Sequence, residues 1–141
     1  MSPRFRSPAL TVDAVWIRGG RVLLVRRGRP PFQGFWAFPG GFVELQETVE
    51  EALVRELLEE TGLRGTPGPL LGVYSGPNRD PRKPTTSVAF LVKGRGGEPR
   101  AGDDASFAAW VPLDQAHPLA FDHSRMLRDA LRRRSKVKAR Y

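Results

Sequence analysis

A single helix, whose two ends are both specified by the sequence, most constrains how this chain can fold. Residues 48–51 fit a capping box, with Thr48 at the N-cap and Glu51 three residues later, so that each side chain can bond the other residue's backbone. Gly62 is of the residue type that most often takes the left-handed conformation after the last turn of a helix. The sequence therefore predicts a helix that opens at Thr48 and runs to about Thr61.

The segments around this helix predict short strands and a second helix at the end of the chain. Val49, Leu53 and Leu57 form an apolar stripe along the first helix, which must pack against a core. The predicted strands are rich in β-branched or aromatic residues, and Pro67 and Pro69 bracket a break before one of them. The strands span residues 10–17, 20–26, 35–38, 70–74, 85–93 and 107–111, and the second helix spans residues 124–134. Because strands surround one long helix and a terminal helix follows, we expect an α/β or α+β sandwich.

Length and composition place all 141 residues in one domain and exclude several classes of protein. The chain has no cysteine, which excludes disulfide scaffolds, zinc–cysteine modules and thiol nucleophiles. The longest apolar runs, residues 22–25 and 88–92, fall far short of the roughly 20 residues that span a bilayer. No apolar segment of the signal-peptide type follows the N-terminal arginines. We therefore expect a soluble, single-domain, cytoplasmic protein without a membrane partner.

The net charge of +8 is concentrated at the C-terminus. Residues 125–141 contain eight basic residues and one acid, Asp129. We interpret this segment as a solvated helix face that continues into a basic, frayed tail at about residues 135–141. Contact with RNA or DNA and steering of an anionic small substrate are the alternatives, and nucleic acid is not the partner we expect.

Negative charge is concentrated between Gly41 and Leu63, where seven glutamates accompany a single arginine. On a helix, Glu56, Glu59 and Glu60 lie within about a third of the circumference. Like charges at these spacings repel by about 0.2–0.5 kcal/mol per pair. Mg²⁺ prefers hard carboxylate oxygens and would reverse the sign of that interaction. The pattern therefore indicates bound divalent cations, with a solvent-exposed, glutamate-rich helix as the alternative.

The spacing of these residues resembles that of the Nudix hydrolase family. Nine fixed positions over 23 residues match the family signature G-x5-E-x7-R-E-U-x-E-E-x-G-U, the Nudix box, in which U is a bulky aliphatic residue. The matching residues are Gly41, Glu47, Arg55, Glu56, Leu57, Glu59, Glu60, Gly62 and Leu63. The resemblance extends more loosely over most of the chain. It implies a Nudix-type α/β/α sandwich with a mixed β-sheet between helices.

The resemblance also implies a reaction, namely Mg²⁺- or Mn²⁺-dependent hydrolysis of the pyrophosphate bond in a nucleoside diphosphate linked to another moiety. The family's metal ligands correspond to the carboxylates of Glu56, Glu59 and Glu60 and to the carbonyl of Gly40. Glu56 is also a candidate for orienting or deprotonating the attacking water, and Arg55 resembles the arginine that orients the carboxylates. We therefore expect Arg55, Glu56 and Glu60 to be the catalytic residues.

Two positions depart from the pattern common in the family. Gln46 stands where many members have glycine, just before Glu47, although the signature allows any residue there. Relatives often supply a further acid just before the aromatic residue of the last strand, where residues 105–110 contain none. Asp103 and Asp104 lie just upstream and are our candidates for this acid, with a plain turn as the alternative.

Weaker similarities indicate the substrate. Residues 74–82 and 119–123 resemble stretches of the ADP-ribose pyrophosphatase-like members of the family. We therefore expect ADP-ribose or a related nucleotide sugar to be cleaved to AMP and a sugar phosphate. The alternatives are nucleoside triphosphates, dinucleotides or capped RNA, and a non-catalytic Nudix-like module that senses nucleotides or binds RNA.

Three residues outside the signature are candidates for substrate binding. Arg27 resembles an arginine that approaches the nucleotide in relatives, with a solvated strand-end arginine as the alternative. Phe42 and Tyr74 could stack on a base, with packing in the core as the alternative. His123 has no motif around it and is interpreted as a residue at the start of the last helix. Family members are often dimers, which leaves a homodimer open.

Overall fold

The computed structural model describes residues 7–102 and 105–140. These residues form eight strands, two helices and a 3₁₀ turn at Leu113–Gln115. The strands are β1 (Ala9–Val15), β2 (Ile17–Arg18), β3 (Arg21–Arg27), β4 (Trp36–Ala37), β5 (Gly40–Phe42), β6 (Thr66–Tyr74), β7 (Thr85–Lys93) and β8 (Ala105–Pro112). The helices are α1 (Val49–Thr61) and α2 (His123–Arg140).

The strands form two sheets, of which one is mixed and one is antiparallel. In the mixed sheet the order is β5-β1-β7-β6, where β1 runs parallel to β7 and antiparallel to β5. In the antiparallel sheet, β3 pairs with β2 and β4 along one side and with β8 along the other. The register places Asp13 of β1 directly opposite Gly40 of β5. A polar residue of a buried strand thus lies beside the segment that leads to α1.

The two helices pack on opposite sides of the strands. Leu53 of α1 shares a buried cluster with Leu23 of β3. Met126 of α2 shares a different cluster with Val22 and Leu24, the neighbours of Leu23 in the same strand. Because successive residues of a strand point to opposite faces, β3 is covered on both sides. The predicted sandwich with a mixed sheet between helices is confirmed.

Strand β6 is longer than predicted, and the predicted break at Pro67 and Pro69 is wrong. The strand lies at the edge of the mixed sheet, and its pairing with β7 shifts register between Pro67 and Leu70 and again between Leu70 and Gly72. Proline has no N–H to donate, which an edge strand tolerates because one of its sides has no partner strand. The prolines therefore distort this strand without ending it.

The terminal helix is also longer than predicted. Helix α2 begins at His123 and continues to Arg140, beyond the predicted end at Arg134. Its last turns are rich in lysine, arginine and alanine, which are good helix formers. Within residues 7–102 and 105–140, no helix has both the length and the apolar composition needed to cross a membrane.

Both predicted ends of α1 are confirmed. Thr48 Oγ1 accepts a hydrogen bond from the Glu51 N–H at 3.0 Å, and Glu51 Oε1 accepts one from the Thr48 N–H at 2.8 Å. Gly62 takes a left-handed φ of 73° and donates its N–H to the last turn of the helix. The segment that leads into β8 also closes this end, because the Gly102 N–H donates to Glu60 O at 3.1 Å. Carbonyls that would lack a partner at a helix end are thus satisfied.

The loop between β5 and α1 allows a first prediction, because it holds Gln46 in a left-handed conformation with a φ of 70°. The side chain is exposed, and this conformation costs a non-glycine residue roughly 1–2 kcal/mol. We expect Gln46→Gly to raise the free energy of unfolding by about 0.5–1 kcal/mol, after allowing for the greater freedom of glycine in the unfolded chain. Urea unfolding followed by circular dichroism measures this change.

Gln46→Ala is the matched control for this prediction. Alanine keeps the Cβ that disfavours the left-handed conformation, so this variant should show no comparable gain. An equal gain in both variants, or a loss in the glycine variant, would contradict backbone strain at this position.

Candidate active site

A cavity of about 450 Å³ opens beside α1, and its walls carry both signs of charge. Its size lies in the range of roughly 300–1,000 Å³ that is typical of small-molecule sites. The lining carboxylates are Asp13, Glu44, Glu56, Glu60 and Asp80, and the lining arginines are Arg27, Arg29, Arg79 and Arg82. This cavity is the candidate active site because it contains predicted catalytic residues of α1 together with several cationic groups.

Two glycines of β5 let the backbone approach acidic side chains of β1 and α1. A Cβ at Gly41 would lie 2.5 Å from Glu56 Oε1, and a Cβ at Gly40 would lie 2.7 Å from Asp13 Oδ1. At Gly40 a Cβ would also overlap the backbone oxygen of Val12, so glycine is required there, whereas at Gly41 a Cβ would displace the Glu56 carboxylate. Gly40 N also lies 3.4 Å from Glu60 Oε1 and donates its hydrogen to that oxygen. The backbone of β5 therefore lies directly against oxygens of three acidic side chains.

Arg55 fixes the loop before α1 and one of these carboxylates in place. Its Nε and Nη2 donate to the two carboxylate oxygens of Glu47 at 2.7 and 2.9 Å, and Nη2 also donates to Phe42 O at 3.0 Å. Its Nη1 donates to Glu56 Oε1 at 2.8 Å and to Glu59 Oε2 at 3.3 Å. The hydrogen bonds from Arg55 and from the backbone lower the pKa of Glu47 to about 2. Arg55 does not itself line the cavity, so it acts through the groups it positions.

Glu60 is half-buried beside a second carboxylate, and both circumstances disfavour its ionised form. Burial, together with the hydrogen bond to Glu56 and the charge of that group, raises the pKa of Glu60 to about 9. Burial also raises the pKa of Asp13 to about 7. The further candidate acids, Asp103 and Asp104, lie outside the described residues. A divalent cation would stabilise the ionised form of such buried carboxylates.

The oxygen donors at this place fit a hard divalent cation. Glu56 and Glu60 offer carboxylate oxygens and Gly40 offers a backbone carbonyl, which are the ligand types that Mg²⁺ and Mn²⁺ prefer. Glu59 stands apart, since its side chain is 59% exposed and bonded to Arg55. As the side chains stand, no three acidic or histidine residues in the described part of the chain are grouped to hold an ion. The structure thus brings together three of the four predicted ligands and leaves Glu59 outside the cavity.

A buried histidine and aspartate also line the cavity, and no motif predicts them as part of the site. His123 Nδ1 accepts a hydrogen bond from the Phe38 N–H at 3.1 Å, and its Nε2 lies 3.4 Å from Asp13 Oδ1. Ser87 donates its hydroxyl hydrogen to the other Asp13 oxygen. Burial lowers the pKa of His123 to about 3, so the ring is neutral at pH 7 and carries its proton on Nε2. The one signal in the sequence is Asp13, an acidic residue within an otherwise apolar strand.

The loop between β6 and β7 is tied to the start of α2 by a partly buried ion pair. Arg79 Nε donates to Asp122 Oδ2 at 2.9 Å and Arg79 Nη2 donates to Asp122 Oδ1 at 2.7 Å. The remaining Nη1 donates to Thr85 Oγ1 at 2.8 Å. Residues 74–82 and 119–123, whose similarity to other proteins indicates the substrate, are therefore joined beside the cavity.

The predicted substrate-binding residues divide into two groups. Arg27 and Phe42 line the cavity, whereas Tyr74 does not. Tyr74 is buried and its hydroxyl donates to Asp129 Oδ2 at 2.7 Å, so it packs against α2. The structure therefore places Tyr74 in the core, where it does not meet the other two residues.

Comparisons with known proteins agree with this architecture. The NUDIX domain family matches residues 7–130. The ADP-ribose pyrophosphatase of Methanocaldococcus jannaschii is 49% identical over 125 residues, which cover 89% of this chain and 74% of that protein. The NUDIX domain of Shewanella oneidensis NrtR, solved in complex with ADP ribose, superposes with a TM-score of 0.81 at 31% identity, over 92% of this chain and 90% of that one. A bifunctional NMN adenylyltransferase/ADP ribose pyrophosphatase of Francisella tularensis, solved with AMP and a manganese ion, superposes with a TM-score of 0.80 at 30% identity, over 93% of this chain and 43% of that one.

The fold and the site together define a class of protein: an α+β sandwich in which a glutamate-rich helix faces a cavity of small-molecule size. The family match covers most of the chain, and the archaeal relative supports it at 49% identity. The chain belongs to the Nudix family, and it is a Nudix pyrophosphohydrolase.

The raised pKa of Glu60 makes the stability of the metal-free protein depend on pH. This pKa is about 9 in the folded chain and ordinarily 4.5, so the folded state binds the proton more tightly than the unfolded state. The stabilisation is fully present below the ordinary pKa and is lost as the pH rises through the folded pKa. The loss amounts to at most about 1.4 kcal/mol per pH unit. In EDTA, we expect the free energy of unfolding of the wild type, measured with urea, to fall as the pH rises from 4.5 to about 9. The fall is relative to Glu60→Gln, which cannot ionise.

Addition of Mg²⁺ tests the same carboxylate. At alkaline pH, the cation should restore the stability of the wild type and have little effect on Glu60→Gln. Parallel pH profiles for the two proteins in EDTA would contradict the raised pKa.

Proposed function

We propose that this Nudix pyrophosphohydrolase cleaves ADP-ribose or a related nucleotide sugar, with one water, to AMP and a sugar phosphate. The proposal rests on one contact beside the cavity. There the hydrogen bonds from Arg79 to Asp122 join residues 74–82 to residues 119–123. These two segments carry the similarity to ADP-ribose pyrophosphatases. The 49% identity with an archaeal ADP-ribose pyrophosphatase supports the same substrate.

We also propose that Mg²⁺, or Mn²⁺ in its place, is the cofactor. Glu56, Glu60 and the carbonyl of Gly40 would hold it, in line with the manganese ion in the related Francisella structure. A bound cation supplies a more acidic water and offsets charge on the leaving oxygen. A cation bound to these carboxylates would also attract a pyrophosphate and so bring the two together in the cavity.

Within the protein, we assign Glu56 to the attacking water. Its Oε1 is held by Arg55 at 2.8 Å, which fixes the orientation of the carboxylate. Water attacks one phosphorus of the pyrophosphate, the bond from that phosphorus to the bridging oxygen breaks, and the proton of the water passes to a carboxylate. Arg55 is in this scheme a positioning residue, since it bonds Glu56 and the loop at Glu47 but does not line the cavity.

Two other functions remain as alternatives. Hydrolysis of nucleoside triphosphates would use the same helix with a different leaving group. Nucleotide binding without catalysis is favoured by one observation, the likeness to the NUDIX domain of NrtR in complex with ADP ribose. The intact set of glutamates in α1 favours catalysis over binding alone.

Product release from a panel of substrates tests the proposal. With Mg²⁺, we expect AMP from ADP-ribose at a higher kcat/KM than from sugar nucleotides, NADH, diadenosine polyphosphates or oxidised and normal dNTPs. Glu60→Gln should lower kcat/KM by about 100-fold or more, equivalent to roughly 3 kcal/mol, because a cation ligand is lost.

Glu50→Gln is the matched control, since Glu50 is an exposed glutamate in the first turn of the same helix. Its kcat/KM should stay within about twofold of the wild type. Activity confined to dNTPs would replace ADP-ribose with nucleoside triphosphates as the substrate. Tight binding of ADP-ribose without AMP release would instead identify a sensing module.

A further inference from the structure

The buried imidazole of His123 contacts two separate segments of the chain at once. Its Nδ1 accepts a hydrogen bond from the Phe38 N–H at 3.1 Å, and its Nε2 lies 3.4 Å from Asp13 Oδ1. Because Nδ1 is the acceptor, the proton of the neutral ring is on Nε2, the nitrogen beside Asp13. One ring therefore connects the start of α2 both to β1 and to the residues between β4 and β5.

The surroundings of His123 fix the position of its ring. The ring stacks on that of Phe38, with 5.1 Å between the ring centres and 29° between the planes, and the Phe121 ring centre lies 5.5 Å away. His123 is the first residue of α2. Just before it, the Ala120 N–H donates to Trp36 O at 2.8 Å, which anchors the start of α2 to β4. His123 extends this anchorage from β4 to the residues that follow it.

Both contacts of His123 lead to Gly40. Phe38 lies two residues before Gly40 in the chain, and Asp13 lies opposite Gly40 in the paired strands β1 and β5. A Cβ at Gly40 would lie 2.7 Å from Asp13 Oδ1, the same oxygen that lies beside His123 Nε2. The other Asp13 oxygen accepts the Ser87 hydroxyl hydrogen, which fixes the orientation of the carboxyl group. The backbone at Gly40 is therefore positioned through the chain and across the sheet by the same ring.

The position of Gly40 matters because its carbonyl is one of the oxygens that would hold the cation. Mg²⁺ requires nearly ideal octahedral geometry, with metal–oxygen distances of about 2.0–2.1 Å. A backbone carbonyl has no side-chain torsion with which to adjust, so its position depends on the contacts of the surrounding backbone. Loss of a group that orients a metal ligand typically lowers metal affinity about 10- to 100-fold.

We propose that His123 is a positioning residue, which holds the Gly40 carbonyl in place for the divalent cation through its contacts with Phe38 and Asp13. It is not itself a ligand, because its Nδ1 lone pair accepts the Phe38 N–H and its Nε2 carries a proton. The identity of the cation rests on the proposed function, whereas the contacts of His123 do not depend on it.

Titration of Mn²⁺ alone into the full chain tests this role without substrate, with the free ion measured by electron paramagnetic resonance. His123→Leu keeps an apolar side chain and removes both polar contacts, so it should weaken Mn²⁺ binding about tenfold. His123→Asn retains an oxygen that can accept the Phe38 N–H. It should therefore recover part of the loss and bind Mn²⁺ about threefold more weakly than the wild type.

His117→Leu is the matched control, since His117 is exposed and does not line the cavity. Its Mn²⁺ affinity should equal that of the wild type. Circular dichroism must show that each variant is folded, and if His123→Leu is not, His123→Asn decides the question. Wild-type affinity in the folded His123 variants would overturn the proposal.

Amide hydrogen exchange, measured by NMR in EDTA, separates positioning from a general loss of stability. In His123→Leu, the amides of Phe38 and Gly40 should exchange about tenfold faster, because a hydrogen bond that holds this segment is lost. The amides of Leu53 and Leu57, in the buried face of α1, should change much less. An equal acceleration at all four amides, or none at Gly40, would contradict a positioning role.

Steady-state kinetics show which proposal fails if one does. With the substrate that the panel identifies, His123→Leu should raise the Mg²⁺ concentration for half-maximal rate about tenfold, and its deficit should shrink as Mg²⁺ is raised. A deficit that is equal at all Mg²⁺ concentrations would overturn the proposal for His123. Activity confined to dNTPs would reject only the proposed substrate. Absence of Mn²⁺ binding by the wild type at millimolar concentration would reject the cofactor and, with it, the role of His123.

Discussion

The close contact between the carboxylates of α1 and the glycine backbone of β5 is the constraint on which the rest of this site depends. Glu56 can lie against Gly41 only because no Cβ stands between them. Arg55 donates hydrogen bonds to Glu56, but Glu60 remains half-buried beside a second carboxylate with its pKa raised to about 9. Folding therefore brings together carboxyl groups whose ionised form the protein only partly stabilises. Their oxygens are what make this end of the cavity suited to a divalent cation.

The sequence predicts features that depend on residues close together in the chain. The capping box needs only Thr48 and Glu51, and the helix stop needs only Gly62, so both ends of α1 follow from local chemistry. The spacing of the signature places Glu56 and Glu60 on one side of that helix for the same reason. Pro67 gives a wrong prediction because a proline breaks a central strand but is tolerated in an edge strand. Whether a strand lies at an edge is decided by the order of the whole sheet.

Features that depend on pairing between distant segments could not be predicted in this way. Phe42 and Tyr74 are both strand aromatics with the same two interpretations, yet only Phe42 lines the cavity. Tyr74 turns to Asp129 because the packing of β6 against α2 brings those side chains together. Asp13 and His123 likewise meet across more than a hundred residues of sequence, so that no spacing rule connects them. Only the apolar surroundings of Asp13 in the sequence hint that it has a buried partner.

The two sides of the cavity carry charge of different physical origin. On α1 the raised pKa of Glu60 makes the charge of the carboxyl groups depend on pH. On the other elements, the guanidinium groups of Arg27 and Arg82 are permanent charges, one of them fixed by Asp80. One side of the cavity therefore changes its charge with pH, whereas the other side stays cationic.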